Sequence, residues 1–107
     1  MGYKKGYAFE RELKLKLEED GWRVIRSGGS KKPDLVAGRG GKILIIECKV
    51  TKKSKIYLEK DEVRHLETVA LAFGAEAIFA VKVDNRGWSL VTIDSLRETG
   101  KHFMVEL

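Results

Sequence analysis

The sequence predicts an α/β fold in which a central mixed five-stranded β-sheet is flanked by helices, in the order α-β-β-β-α-β-β. Two observations lead to this prediction. Apolar residues recur at helical spacing in two segments, and β-branched runs bounded by glycine turns lie between and after those segments. The 107 residues are enough for one domain, so we expect a single domain over residues 1–107.

The first half of the chain is predicted to form one helix and three strands. The helix covers residues 4–20, because Phe9, Leu13 and Leu17 recur on one face and Gly21 follows as a helix-ending residue. The strands are predicted at residues 22–26, 34–37 and 42–50. The third strand carries the apolar run of residues 43–46, which is typical of a strand covered on both faces.

The second half is predicted to form a helix and two strands. It begins with a basic loop that contains Lys52, Lys53 and Lys55, and the helix covers residues 59–73, with acidic residues in its first turn and Gly74 after its last. Strands follow at residues 76–83 and 88–93, and residues 103–107 could form a last short strand. The third strand, this helix and the fourth strand form a βαβ unit, whose two strands are parallel.

Composition limits the possible functions. The chain has 43% hydrophobic and 35% charged residues, which is typical of a folded protein. No apolar run is long enough to cross a bilayer, and no signal peptide precedes the first helix, so we expect a cytoplasmic protein without membrane contact. The formal net charge of +5 is compatible with phosphate binding, but a merely solvated basic surface would give the same value.

Motifs for two common kinds of site are missing from the sequence. The glycine pairs at residues 28–29 and 40–41 lack the Gly-Lys-Ser/Thr of a P-loop, so no nucleotide cofactor is expected. One cysteine and two histidines are too few for a zinc cluster. Cys48 also cannot form an internal disulfide, and it points away from Glu47 and Lys49, so we interpret it as a small core residue.

Three charged residues on two adjacent strands suggest chemistry. Glu47 and Lys49 are two residues apart on the third strand, so their side chains leave the same face of the sheet. Asp34 begins the neighbouring strand and lies beside Glu47 if the hairpin is in register. Two close carboxylates repel each other unless a divalent cation lies between them, and oxygen ligands favour Mg²⁺ or Mn²⁺.

Glu10 can join this group because it lies at the edge of the apolar face of the first helix. There it could complete the metal site or bind a second metal ion. Lys49 could position or deprotonate a water molecule, or stabilise the charge that develops on a phosphate. The alternative is that Glu47 and Lys49 form an ordinary surface ion pair, which would have little effect on stability.

The joint pattern of Pro33-Asp34, a glycine turn and Glu47-Cys48-Lys49 is similar to the signature of the PD-(D/E)xK nucleases, which have a restriction-endonuclease-like sheet. The chain as a whole closely resembles the archaeal Holliday junction resolvases of the Hjc type. The matching stretches cover nearly the whole chain in order and are residues 9–13, 24–37, 46–53, 73–74 and 80–82.

This resemblance implies a structure-selective, metal-dependent endonuclease that resolves four-way DNA junctions by paired symmetric nicks in recombination and repair. It implies metal ligation by Asp34, Glu47 and the backbone carbonyl of Cys48, with Glu10 close by, and catalysis by Lys49 together with the loop residue Ser30. DNA contacts are implied for Arg11 and Arg26, and the lysines that flank the carboxylates are plausible phosphate contacts: Lys31, Lys32, Lys52 and Lys53.

The resemblance also implies a homodimer, in which two sites nick opposite strands. The second helix has a wide apolar arc, part of which could meet a partner through Leu66, Val69 and Phe73. Alternatively, the whole arc belongs to the core of the monomer. Two other functions also stay open, namely a nuclease of the same fold that acts on another DNA structure, and a DNA-binding module without activity. The complete set of charged residues argues against the module.

Overall fold

A computed structural model of the chain describes residues 2–28, 33–84 and 86–107, with the side chains of the first helix described from Tyr7 onward. Two α-helices, eight strands and one short 3-10 turn occur in these residues. In chain order they are α1 (Gly2–Glu19), β1 (Arg23–Arg26), β2 (Leu35–Arg39), β3 (Lys42–Thr51), β4 (Lys55–Glu59), α2 (Lys60–Phe73), β5 (Glu76–Val83), β6 (Gly87–Thr92), the 3-10 turn (Ile93–Ser95), β7 (Arg97–Thr99) and β8 (His102–Glu106).

The central sheet has five strands in the order β1-β2-β3-β5-β6. Strands β3 and β5 are parallel, joined through β4 and α2, and every other neighbouring pair in this sheet is antiparallel. The predicted mixed five-stranded sheet is therefore confirmed. The parallel pair lies at the centre, where each strand has a neighbour on both sides.

The β2–β3 hairpin sets the register that matters for the site. Its ladder runs from Arg39 opposite Lys42 to Leu35 opposite Ile46. The turn consists of Gly40 and Gly41, whose φ angles of 55° and 85° lie in the left-handed region that glycine adopts without strain. With the turn fixed in this way, the residue before Leu35 lies level with the residue after Ile46.

Each face of the central sheet is covered by one helix. Helix α1 packs against one face, and α2 packs against the other. Consecutive residues of a strand point to opposite faces, so neighbouring residues of one strand belong to different cores. Ile46 belongs to the first core and Ile45 to the second. The α1 core includes Phe9, Leu13, Leu17, Ile78 and Ala80, and the α2 core includes Val63, Leu66, Ala70, Phe79 and Val81.

Helix α2 begins and ends almost where the sequence predicts. Glu59 is the N-cap and forms a capping box with Glu62, in which the Glu59 backbone N–H donates to Glu62 Oε2 at 3.0 Å. At the other end Gly74, with φ of 63°, caps the helix in the left-handed conformation. The start of α2 is therefore fixed by hydrogen bonds that involve the side chain of Glu62.

A second sheet was missed by the sequence prediction. Its three strands have the order β4-β8-β7, and its β4 occupies Lys55–Glu59, so the prediction of a basic loop is wrong for residues 55–58. The possible strand at residues 103–107 is confirmed as His102–Glu106. Phe103 and Val105 of this strand pack against the core under α2.

In the part of the chain that the structure describes, no helix is both long and apolar enough to cross a membrane.

Candidate active site

The acidic pair predicted from the hairpin register lies at the end of β2 and β3. Asp34 comes just before the first paired residue of β2, level with Glu47. The Cys48 backbone N–H donates to Asp34 Oδ2 at 2.8 Å, which holds the Asp34 carboxylate against β3. The structure thus brings Asp34 and Glu47 together, as the sequence predicts.

The surroundings of the Glu47 carboxyl disfavour its ionised form. Burial raises its pKa to about 7, and the negative charge of Asp34 is the second cause. The Lys49 ammonium opposes this increase, whereas Glu62 and Glu10 add to it. A pKa this high means that the ionised Glu47 carboxylate is poorly stabilised, mainly because it is buried, and a bound cation would stabilise it.

Glu10 reaches the same cluster from α1. Burial raises the pKa of its carboxyl, and the adjacent Asp34 raises it further, whereas Arg26 lowers it. Arg26 Nε lies 3.6 Å from Glu10 Oε1, and the Arg26 guanidinium lies over the Tyr7 ring at 4.6 Å from its centroid. Arg26 is therefore held between an acidic residue of the cluster and an exposed aromatic ring.

Lys49 lies on the same face of β3 as Glu47, and its ammonium forms an ion pair with Glu62 in the first turn of α2. Glu62 is not among the site residues that the sequence predicts. The spacing of Glu59 and Glu62 is that of a capping box, a signal that could have marked the start of α2. Nothing in the sequence pairs Glu62 with Lys49, because their contact depends on how α2 packs against β3.

The side chains present fit a hard divalent cation only in part. Among the described residues, no three His, Cys, Asp or Glu side chains are grouped so that they could hold one metal ion. Asp34 and Glu47 supply carboxylate oxygens, which suit Mg²⁺, and backbone carbonyl or water oxygens commonly complete such sites. Ligation by the Cys48 carbonyl and by Glu10 stays a prediction.

The Cys48 thiol is not suited to metal binding in this structure. The residue is half-buried and packs against the core under α1, on the opposite face of β3 from Glu47. Burial and the nearby carboxylates raise the pKa of the thiol, so it stays protonated at neutral pH. Its position agrees with the prediction that it is a small core residue.

Of the basic residues predicted to contact DNA, Arg26 contacts the cluster through Glu10. Arg11, Lys52 and Lys53 are exposed, and the two lysines directly follow β3, at the end of the strand that carries Glu47 and Lys49. Ser30, Lys31 and Lys32 lie outside the described residues. The described ends of their segment are close to the cluster, since the Ser27 backbone N–H donates to the Asp34 carbonyl at 3.1 Å.

The surface of α2 agrees only partly with the predicted dimer contacts. The prediction that Leu66 meets a partner is wrong, because its side chain is 2% exposed and packs in the core under α2. Val69 is half-buried against the same core. Phe73 is 52% exposed, and the neighbouring Leu71 is 75% exposed, so the end of α2 presents apolar surface.

Comparison with known proteins identifies the family. A family model described as "Archaeal holliday junction resolvase (hjc)" matches residues 1–107. The chain belongs to this family. The resemblance seen in the sequence motifs is therefore confirmed over the whole length of the chain.

Hjc proteins of two archaea illustrate the relationship. The crossover junction endodeoxyribonuclease Hjc of Methanocaldococcus jannaschii is 41% identical over 104 residues, a match that covers 97% of this chain and 77% of that protein. The protein of the same name from Archaeoglobus fulgidus is 40% identical over 107 residues, which covers 95% of this chain and 79% of the relative.

A solved structure confirms the fold. The structure of Archaeoglobus fulgidus Hjc, described as a Holliday junction resolvase from an archaeal hyperthermophile, matches with a TM-score of 0.89 and 41% sequence identity. The match covers 95% of this chain and 84% of that chain. Membership of this nuclease family implies dependence on a divalent metal.

Proposed function

We propose that this Hjc-family chain is an endonuclease that resolves four-way DNA junctions by paired symmetric nicks, in homologous recombination and repair. The observation that best supports the proposal is the convergence of Asp34, Glu47 and Lys49 at the end of the β2–β3 hairpin. The family assignment supports the substrate, because the relatives are named as crossover junction endodeoxyribonucleases.

The roles proposed for these residues follow from their chemistry. Asp34 and Glu47 hold a divalent cation, which we propose is Mg²⁺, with Mn²⁺ as a possible substitute. When bound, such an ion polarises a phosphoryl oxygen and lowers the pKa of the attacking water. Lys49 presents its ammonium on the same face of β3, where it can stabilise the negative charge that develops on the phosphate.

Basic residues around the cluster are proposed to orient the DNA backbone. Arg26 is held by Glu10 and Tyr7 at the edge of the cluster, so its guanidinium is prepared for a phosphate. Arg11, Lys52 and Lys53 are exposed close to the site in sequence and can add backbone contacts. Ser30, Lys31 and Lys32 keep the roles that the resemblance implies, as a catalytic serine and two DNA contacts.

Two further parts of the proposal concern the assembly and its location. We propose a homodimer, since two sites related by a two-fold axis can nick opposite strands of one junction. The exposed Phe73 at the end of α2 and Val69, one helical turn before it on the same face, are the surface we propose for this contact. The single domain and the cytoplasmic location predicted from the sequence remain part of the proposal.

A cleavage assay tests the substrate. Purified protein is incubated with Mg²⁺ and a labelled four-way junction, with linear duplex and flap DNA in parallel. Paired symmetric nicks in the junction alone support the proposal. Equal cleavage of the flap would indicate another DNA structure as the substrate, and binding without cleavage would indicate a DNA-binding module.

A further inference from the structure

We propose that Glu62 is a positioning residue that holds the ammonium of Lys49 in place for phosphodiester cleavage. This inference rests on the proposed function, because it assigns Glu62 a part in the same reaction. The Glu62 carboxylate lies between α2, which covers one face of the sheet, and β3, which carries Glu47 and Lys49.

The contact between the two side chains is direct. The Lys49 Nζ and the Glu62 Oε1 form an ion pair, and the two side chains are 28% and 31% exposed, so the pair is partly shielded from solvent. A lysine side chain has four rotatable bonds and loses considerable conformational entropy when its end is fixed. An opposite charge within reach is therefore needed to keep the Lys49 ammonium in one place.

Glu62 can serve as this fixed point because its own position is restrained. It is the third residue of α2, and its Oε2 accepts the backbone N–H of Glu59 at 3.0 Å. The Glu59 side chain in turn accepts the backbone N–H of Glu62. One carboxylate oxygen thus belongs to the helix cap, and the other holds Lys49.

The pairing also affects the neighbouring acidic group. Lys49 and Glu47 leave the same face of β3 and interact electrostatically, so an unanchored ammonium could move onto the Glu47 carboxylate. There it would compete with a cation for the oxygens that we propose as ligands. With the ammonium held by Glu62, the Glu47 oxygens remain available, and the ammonium stays beside the reacting phosphate.

The variant Glu62→Gln separates the two functions of the side chain. A glutamine oxygen still accepts the Glu59 N–H, so the cap is kept, whereas the charge that holds Lys49 is lost. Asp61→Asn is the matched control, because Asp61 is an exposed neighbour in the same helical turn and its substitution makes the same change in net charge. Both variants are compared with the wild-type protein on a labelled four-way junction.

The measurements are the single-turnover cleavage rate at saturating protein and the dissociation constant of the junction. We expect Glu62→Gln to lower the rate by about 10- to 100-fold, the scale of a misplaced reacting group, with junction affinity unchanged. Asp61→Asn should keep the wild-type rate. Equal rates for Glu62→Gln and wild type, or equal losses in both variants, would overturn the inference.

The position of the ammonium can be followed without cleavage. In the NMR spectrum of the metal-free protein, Glu62→Gln should shift the Cε resonance of Lys49 and leave that of Lys53 unchanged. An unchanged Lys49 resonance would also overturn the inference. Failure of the wild-type protein to cut junctions would refute the proposed function itself, whereas normal wild-type cleavage with an unaffected Glu62→Gln would refute only the role of Glu62.

Discussion

The backbone N–H of Cys48 donates a 2.8 Å hydrogen bond to Oδ2 of Asp34, which fixes an acidic side chain at the start of one strand against the next strand. Because Cys48 lies between Glu47 and Lys49, this bond sets the position of Asp34 relative to both. The three side chains proposed for metal binding and catalysis are therefore positioned by β2 and β3, the two adjacent strands of one hairpin.

The raised pKa of Glu47 predicts a pH-dependent stability. The Glu47 carboxyl has a pKa of about 7 in the folded protein, compared with an ordinary value of 4.5 that applies to the unfolded chain. The unfolded chain therefore releases this proton at lower pH than the folded chain does. The free energy of unfolding should therefore fall as the pH rises from the ordinary value through the folded one. Glu47→Gln cannot ionise, so it should remove this loss of stability.

Thermal unfolding in the presence of a chelator tests this prediction. At about pH 8, Glu47→Gln should raise the free energy of unfolding by about 1 kcal/mol after allowance for solvent screening, or the Tm by roughly 4–8 °C. At about pH 4 the difference should vanish, because both forms then carry the proton. Glu76→Gln, at an exposed position on β5, is the control. A difference that does not depend on pH would contradict the prediction.

The core of the site could be predicted from the sequence because local rules determine it. The glycine turn sets the register of the β2–β3 hairpin, and that register places Asp34 beside Glu47. The two-residue period of a strand then puts Lys49 on the same face as Glu47. Each of these steps needs only neighbouring residues and the geometry of a hairpin.

The parts that were missed depend on contacts between distant segments. Strand β4 directly follows a lysine-rich stretch that resembles a loop, and it becomes a strand because it pairs with β8, in which Glu106 lies opposite Lys55. The ion pair of Glu62 with Lys49 depends on the packing of α2 against the sheet. Similarly, only that packing decides that Leu66 points inward and Phe73 outward.

Charge removal beside the site should weaken DNA binding in a salt-dependent way. If Lys52 and Lys53 each contact a phosphate, Lys52→Gln and Lys53→Gln should each reduce the slope of log affinity against log salt by about one. Lys42→Gln removes the same charge at the opposite end of β3 and should leave the slope unchanged. Equal effects of all three substitutions would show that net charge alone controls binding.

The exposed end of α2 should determine the oligomeric state. Phe73→Asp places a charge in the proposed contact, where it would be buried without a partner, so the variant should sediment as a monomer while the wild type sediments as a dimer. Leu15→Asp, at an exposed apolar position on α1, is the control and should remain dimeric. A dimeric Phe73→Asp variant, or a monomeric wild type, would refute this surface as the interface.

The most direct test of the proposed active site is the single-turnover cleavage of a four-way junction by Asp34→Asn. An asparagine oxygen can still accept the Cys48 N–H, so the hairpin should keep its shape while the site loses one anionic ligand. Asp94→Asn, which removes an exposed carboxylate in the 3-10 turn, is the control and should cut normally. We expect Asp34→Asn to bind the junction as tightly as the wild type and to cut it at least about 1000-fold more slowly, since metal activation contributes several kcal/mol to such reactions. Cleavage by Asp34→Asn at the wild-type rate would contradict the assignment of Asp34 as a metal ligand.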